Sequence, residues 1–258
     1  MAVVVLVHGA WHWGGCWSAV QSLLEQQGCE VYSPSLTLQP GCTLNTHVEQ
    51  VVELIREHDL EQIVLVGHSY GGIVVAGVLA RLPARIHHTV FLDAFLPEPG
   101  RTPLDALVPR AGMAVLRGLA RLQPMWPSFV SAEGFGIHDP SSASWIDSNL
   151  RPHPAETFMA RFPYAPAFEP DRCTYVACLE PIRITDQGTV LGRIMARMIT
   201  ASPLTVFAQR AAAAGWHTVD LPVGHNAMVI APSQVAEIIN AVLPTDTLPA
   251  LAERAVGG

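Results

Sequence analysis

The strongest constraint on this chain lies in residues 63–82. Ile63-Val64-Leu65-Val66 is an unbroken branched apolar run, Gly67-His68-Ser69-Tyr70-Gly71-Gly72 follows at once, and small and branched residues continue from Gly71 to Leu82. Such a run reads as a strand covered on both faces, and the small-residue stretch reads as a helix. A strand that turns so abruptly into a helix needs glycine where backbones approach closely, which Gly67 and Gly71 supply. In this setting G-x-S-x-G holds Ser69 in a strained conformation with its hydroxyl exposed, and the helix start aims backbone N–H groups at the same point. Ser69 is therefore the candidate nucleophile.

The rest of the chain repeats the strand–helix rhythm. Ala2 to Val7 predicts a buried strand, Trp17 to Gln27 a helix stopped by Gly28, Glu30 to Tyr32 a strand, Thr46 to His58 a helix and Thr89 to Leu92 a further strand. That alternation implies a parallel, doubly wound α/β sheet. It breaks in a proline-rich, aromatic stretch from Pro97 to Asp171, where helices are predicted over Leu104 to Leu122 and Pro154 to Arg161. An insertion of this size reads as a cap over a site. Thr174 to Cys178 resumes the pattern, with a last strand at Thr218 to Leu221 and a last helix at Pro232 to Leu243. The expected organisation is a core of residues 1–96 and 172–245, a small helical cap of residues 97–171, and a polar tail of residues 246–258 that is a candidate for disorder.

Composition excludes several classes of function. The 258 residues hold 15 Arg and no Lys against 22 acids, a net charge of −7. No dense basic face for nucleic acid is expected, and Schiff-base chemistry lacks its amine. No apolar run reaches the roughly 18–20 residues of a membrane span, and the apolar segment after Met1 has no basic flank, so a cytoplasmic location is expected. The five cysteines show no CxxC spacing, so buried reduced thiols are expected rather than bridges or a metal site. No cofactor is implied, and the oligomeric state, monomer or homodimer, stays open.

A serine nucleophile needs a base. His225, in Pro222-Val223-Gly224-His225-Asn226 just after the last predicted strand, holds the place that the chain-order rule assigns to it. The oxyanion hole is expected from the N–H of Tyr70, the residue after the nucleophile, and from Ala10 in the loop His8-Gly9-Ala10-Trp11-His12-Trp13 after the first strand. His8 is expected to be a structural hydrogen bonder.

The H-G-A-W loop, the G-H-S-Y-G-G turn, L-D-A-F-L-P after the fourth strand and G-H-N near the end resemble an α/β-hydrolase. Within that fold the chain is similar to the branch of plant methyl-ester hydrolases, hydroxynitrile lyases and bacterial esterases. The resemblance covers residues 1 to about 100 and 172–243 and implies a Ser-His-acid triad. In the plant members the acid follows the strand after the cap, in a segment like C-T-E-D-K; this chain has Cys178-Leu179-Glu180-Pro181, with Pro181 where the aspartate is expected. Two neighbouring acids, Glu180 and Asp186, remain candidates. So does Asp93 at the tip of the fourth strand, where its apolar neighbours Leu92 and Phe95 imply a buried partner. The lyases stabilise cyanide with a lysine after the histidine, a position held here by Asn226.

The expected pocket draws on Trp11 and Trp13 of the first loop and on Met125, Trp126, Phe129, Phe135, Trp145, Phe158, Phe162 and Tyr164 of the cap, with His138, Arg151 and His153 as polar groups able to read a substrate. An apolar, aromatic pocket with few charges points to a small or medium ester: a methyl ester, an aryl ester or a lactone. Two alternatives stand beside this serine hydrolase. One is a cofactor-independent cyclase, lyase or C–C hydrolase using the same triad; the other is a non-catalytic binding protein.

Overall fold

The computed structural model describes residues 1–184, 192–195 and 204–244. The strands are β1 (Val3–Val7), β2 (Glu30–Tyr32), β3 (Ile63–His68), β4 (Ile86–Leu92), β5 (Met125–Trp126), β6 (His153–Pro154), β7 (Cys173–Cys178) and β8 (His217–Leu221). Six of them form a sheet in the order β2-β1-β3-β4-β7-β8, with every neighbouring pair parallel.

The strands belong in the middle because both their faces are apolar. Val3, Val5 and Val7 of β1 point into one core layer while Ala2, Val4 and Leu6 point into the other. The first layer takes α2 (Leu44–Glu57), α3 (Gly71–Arg81) and α7 (Thr205–Ala213); the second takes α1 (Ser18–Gln26) and α9 (Pro232–Asn240). Full burial of each branched side chain contributes about 1.5–3 kcal/mol relative to exposure, so the two layers dominate the fold's stability. Gly71 shows how tightly α3 crosses the sheet, since a Cβ there would stand 2.5 Å from the Val7 carbonyl oxygen.

Between β4 and β7 the chain leaves the main sheet. This stretch carries α4 (Arg110–Leu122), α5 (Pro140–Asn149), α6 (Glu156–Met159) and the short antiparallel ladder β5–β6. The helix predicted over Leu104 to Leu122 is two pieces, a 3-10 turn at Pro103–Ala106 and then α4. Pro109 separates them, because its ring disfavours helical backbone at the preceding residue. The predicted helix from Pro154 to Arg161 shrinks to α6, with Pro154 in the ladder instead. Sequence reading missed α5, which Asp139 caps by accepting the Ser142 N–H and which buries only Ile146.

Other boundaries shift outward. The helix α2 begins at Leu44 because Thr43 and Thr46 form a reciprocal cap, and β4 and β8 begin at Ile86 and His217. The last predicted helix starts at Pro232 as expected and ends at Asn240, as α9; a short helix that was not predicted, α8 (Ala227–Ile230), precedes it. The tail of residues 246–258 and Asp186 lie outside the described residues. Among the described residues no helix is long and apolar enough to cross a membrane.

Candidate active site

Three segments meet at the C-terminal edge of the sheet, and each has a non-glycine residue at positive φ. Ser69 has φ +53 between β3 and α3, Asp93 has φ +39 just past β4, and Trp11 has φ +64 in the loop after β1. Side chains rarely adopt this region, and where they do the surroundings hold them there. The Ser69 carbonyl accepts the N–H groups of Gly72 and Phe95 at 3.1 Å each, while the Ser69 N–H donates to the Leu92 carbonyl at 3.2 Å. The Asp93 N–H donates to the Val176 carbonyl at 2.7 Å. Backbone bonds to the neighbouring strands thus fix both residues.

His225 Nδ1–H donates to Asp93 Oδ2 at 2.7 Å, and the two side chains are only 3% and 6% exposed. The second carboxylate oxygen of Asp93 accepts the Cys178 N–H at 3.4 Å. Charge-assisted bonds of this length are strong, and out of water the pair fixes both the ring's orientation and its tautomer, leaving Nε2 free as the base atom. Glu180 stands elsewhere: its Oε2 lies 3.6 Å from His138 Nε2, with both side chains about half exposed or more. Its backbone N–H donates to the Val223 carbonyl. Among the described acids, Asp93 is the one that the fold brings to His225.

Ser69, His225 and Ala10 open onto one cavity of about 590 Å³. Among the described residues, neither the Ala10 nor the Tyr70 N–H donates to a protein acceptor. The cavity walls include Trp11, Trp126, Phe129, Phe135 and Phe158 from the expected set. Trp11 sets the geometry of this wall: its Nε1–H donates to the Trp126 carbonyl at 2.9 Å, and its ring meets Phe129 edge-on at 4.8 Å.

The remaining expected pocket residues stand away from this lining. Trp13 packs against the partly exposed Trp145 at 5.1 Å. Met125 faces Pro154 in the β5–β6 ladder, Phe162 is buried against Tyr164, and the Tyr164 hydroxyl bonds Asn45. Size and apolar character marked these residues, but their partners lie away from the cavity, in the insertion for Trp13, Met125 and Phe162 and on α2 for Tyr164. The aliphatic wall from Leu104, Leu107, Ile182, Ile184 and Leu204 was missed, as was Phe95 beside it. Its members come from three separate segments, and nothing in their spacing joins them.

The polar readers also separate. His138 is on the surface with Glu180, and the Arg151 side chain is exposed while its N–H donates to the Trp11 carbonyl at 2.8 Å. His153 is fully buried, bonded through Nε2 to Thr157. His8 accepts the Leu36 N–H at Nε2 and donates from Nδ1 to the Gly9 carbonyl; burial pulls its pKa down to about 3. His47 accepts the Tyr70 hydroxyl at 2.8 Å and donates to the Thr37 carbonyl, which anchors the Tyr70 side chain in the core.

One part of the site had no expectation attached. The insertion touches the His225 loop directly: Gly136, at φ +90, lies so close to Gly224 that a Cβ on it would be 2.5 Å from the Gly224 Cα. The Phe135 carbonyl accepts the Asn226 N–H at 3.3 Å, and the Phe135 ring lies 5.6 Å from that of His225. The paired glycines in G-F-G and V-G-H were its only trace in the sequence.

The protein belongs to the alpha/beta hydrolase family, whose model matches residues 4–238. Its relatives include a carbendazim hydrolyzing esterase from a Nocardioides species, 33% identical over 261 residues that cover 94% of this chain and 100% of that protein. Methylesterase 2 of Arabidopsis thaliana is 34% identical over 109 residues, 38% of this chain and 41% of that protein. Among solved structures, an extracellular alpha/beta-hydrolase from a Paenibacillus species shares the fold, with a TM-score of 0.71, 21% identity, and coverage of 94% of this chain and 99% of that one.

Proposed function

We propose that the protein is a carboxylic-ester hydrolase that works through a Ser69-His225-Asp93 triad and an acyl-enzyme. The observation that carries this reading is the buried 2.7 Å bond between His225 and Asp93, beside a serine at φ +53 that opens onto the same cavity. As Ser69 Oγ attacks the ester carbonyl, His225 Nε2 takes its proton, and Asp93 offsets the imidazolium charge. The Ala10 and Tyr70 N–H groups hold the oxyanion. His225 then passes the proton to the departing alkoxide, and a water activated by the same imidazole cleaves the acyl-serine bond.

The substrate in this reading is a neutral apolar ester with an aromatic part. The described lining offers aromatic and aliphatic walls and, apart from His225, no titratable or charged side chain. A carboxylate on the substrate would be desolvated there without a cation to meet it. The esterases among the relatives support ester cleavage, as the carbendazim hydrolyzing esterase matches over its whole length. Five buried, unbridged cysteines support a reducing, cytoplasmic location as part of the same proposal.

Ser69→Ala tests the reading. A fluorophosphonate probe is expected to label the wild-type protein at Ser69 and to leave the variant unlabelled. Hydrolysis of phenyl acetate is expected to fall at least a thousandfold with the melting temperature unchanged. A variant keeping a tenth of the wild-type rate removes Ser69 from the mechanism.

A further inference from the structure

A chain of hydrogen bonds joins the histidine loop to the oxyanion loop through a residue that the reaction scheme does not use. Asn226, next to His225, donates from Nδ2 to His12 Nε2 at 3.0 Å. His12 in turn donates from Nδ1 to the carbonyl of Ala10 at 2.8 Å. Both side chains are almost fully buried, at 1% and 0% exposure. Accepting at one ring nitrogen and donating at the other requires the neutral imidazole with its proton on Nδ1. Burial favours that form and lowers the His12 pKa to about 4. A second tie runs from the elbow, where His68 Nε2–H donates to the His225 carbonyl at 3.0 Å.

We propose that His12 is a positioning residue of the ester hydrolase: with Asn226 it ties Ala10 to the His225 loop, its ring holding the Ala10 carbonyl while its backbone N–H donates at 3.4 Å to the carbonyl of Gly9, on the peptide that carries the Ala10 N–H, so that the oxyanion donor and the base keep one geometry. Three observations lead to this. The Ala10–Trp11 peptide is pinned at the Ala10 carbonyl by His12, and the next one at the Trp11 carbonyl by the Arg151 N–H. Trp11 between them is held at φ +64, so the loop is fixed in a conformation it would relax from if released. On the other side, the Asn226 backbone N–H is held by the Phe135 carbonyl, which gives the chain a fixed anchor next to the base. A displacement of a few tenths of an ångström at an oxyanion donor weakens a contact that matters only in the transition state. The effect is therefore on kcat, and the apolar walls that hold the ground state are left alone.

The proposal rests on the triad reading and is tested where that reading has already passed the Ser69→Ala experiment. His12→Phe keeps a ring and removes both bonds; Asn226→Leu cuts the chain at its other end. For phenyl acetate, with active sites counted by fluorophosphonate titration so that only folded molecules enter, each is expected to lower kcat about 10- to 100-fold with KM changed less than threefold. That is below the 10²–10³ cost of deleting an oxyanion donor outright. The double variant should lose no more than the worse single, because both cut one chain. A phenyl trifluoromethyl ketone adds Ser69 Oγ to its carbonyl carbon, His225 takes the proton and the ketone oxygen becomes an oxyanion. Its inhibition constant should rise in proportion to the loss in kcat.

In wild-type protein labelled with ¹⁵N-histidine, His12 should show the Nδ1–H tautomer and His68 the Nε2–H tautomer. An Nε2–H tautomer at His12 overturns the proposal without any variant. So does a kcat within twofold of wild type per titrated site, a loss confined to KM, or multiplicative losses in the double variant. Ser69 remaining essential while His12→Phe is harmless overturns this inference alone; loss of the Ser69 requirement overturns the triad.

Discussion

Two histidine–carboxylate pairs stand at the same end of this molecule, and they differ in nearly everything but composition. His225 and Asp93 meet at 2.7 Å with side chains 3% and 6% exposed; His138 and Glu180 approach to 3.6 Å with side chains 62% and 47% exposed. In the first pair the ring is walled by Phe135 and His68 and the carboxylate also accepts a backbone N–H. In the second, water competes for both partners, and an exposed pair contributes little. Glu180 and Asp93 both come from segments that end at the sheet's edge. Desolvation and a second fixed bond, rather than proximity to a histidine, make a carboxylate able to orient one.

The largest effect should come from breaking the buried pair. Asp93→Asn is expected to cut kcat by about 10⁴-fold, since an amide can hold the ring in the wrong tautomer and cannot offset an imidazolium. Steady-state kinetics on phenyl acetate check this, and a variant retaining a tenth of wild-type kcat breaks the comparison.

Next is Gly136→Ala, which puts a Cβ 2.5 Å from the Gly224 Cα at a φ of +90. The loop bearing His225 has to move, so a destabilisation of about 1–3 kcal/mol is expected together with a roughly tenfold or greater loss of kcat. Urea denaturation and kinetics on one preparation read both. Retained stability and rate would show that the insertion does not hold the histidine.

Acid should act through the buried histidines. Burial holds His8 near 3, and His12 and His88 near 4, whereas an unfolded imidazole takes its proton near 6.5. Below about pH 6.5 the unfolded chain therefore binds protons that the folded chain refuses, and stability is lost as pH falls from about 6.5 toward 4. The urea midpoint should drop steadily between pH 7 and pH 4; a flat midpoint over that range would contradict the burial of these rings. Glu180→Gln gives the smallest effect, within about 0.5 kcal/mol in stability and twofold in kcat, as for surface changes generally. A dead Glu180→Gln enzyme would reverse the ranking of the two pairs.

The sheet was legible in the sequence because its strands are buried on both faces and its turns carry glycine, two signals that are local. Ser69 and His225 could be nominated for the same reason, since each is fixed relative to the end of a strand. Asp93 could be nominated through its place at a strand tip, its apolar neighbours and Pro181, but nothing local says that a carboxylate there reaches a residue 132 positions away. In the insertion, local signals were weaker or misleading. Pro109 split a helix that periodicity had joined, and α5 buries too little to leave a pattern. Trp13 and Trp145 found one another on the surface, while the cavity took aliphatic side chains such as Leu104 and Ile182. His12 and Asn226 lie 214 positions apart, beyond the reach of any spacing rule.

The contact between Gly136 and Gly224 bears on how such a chain can be re-engineered. Because Phe135 and Gly136 form one wall of the histidine loop as well as part of the insertion, the insertion is not a detachable module seated on a finished catalyst. Grafting the equivalent segment of a relative to change substrate range would replace the backbone against which His225 is set. Residues 131–137 would have to stay with the recipient, and the exchange be confined to the segments on either side.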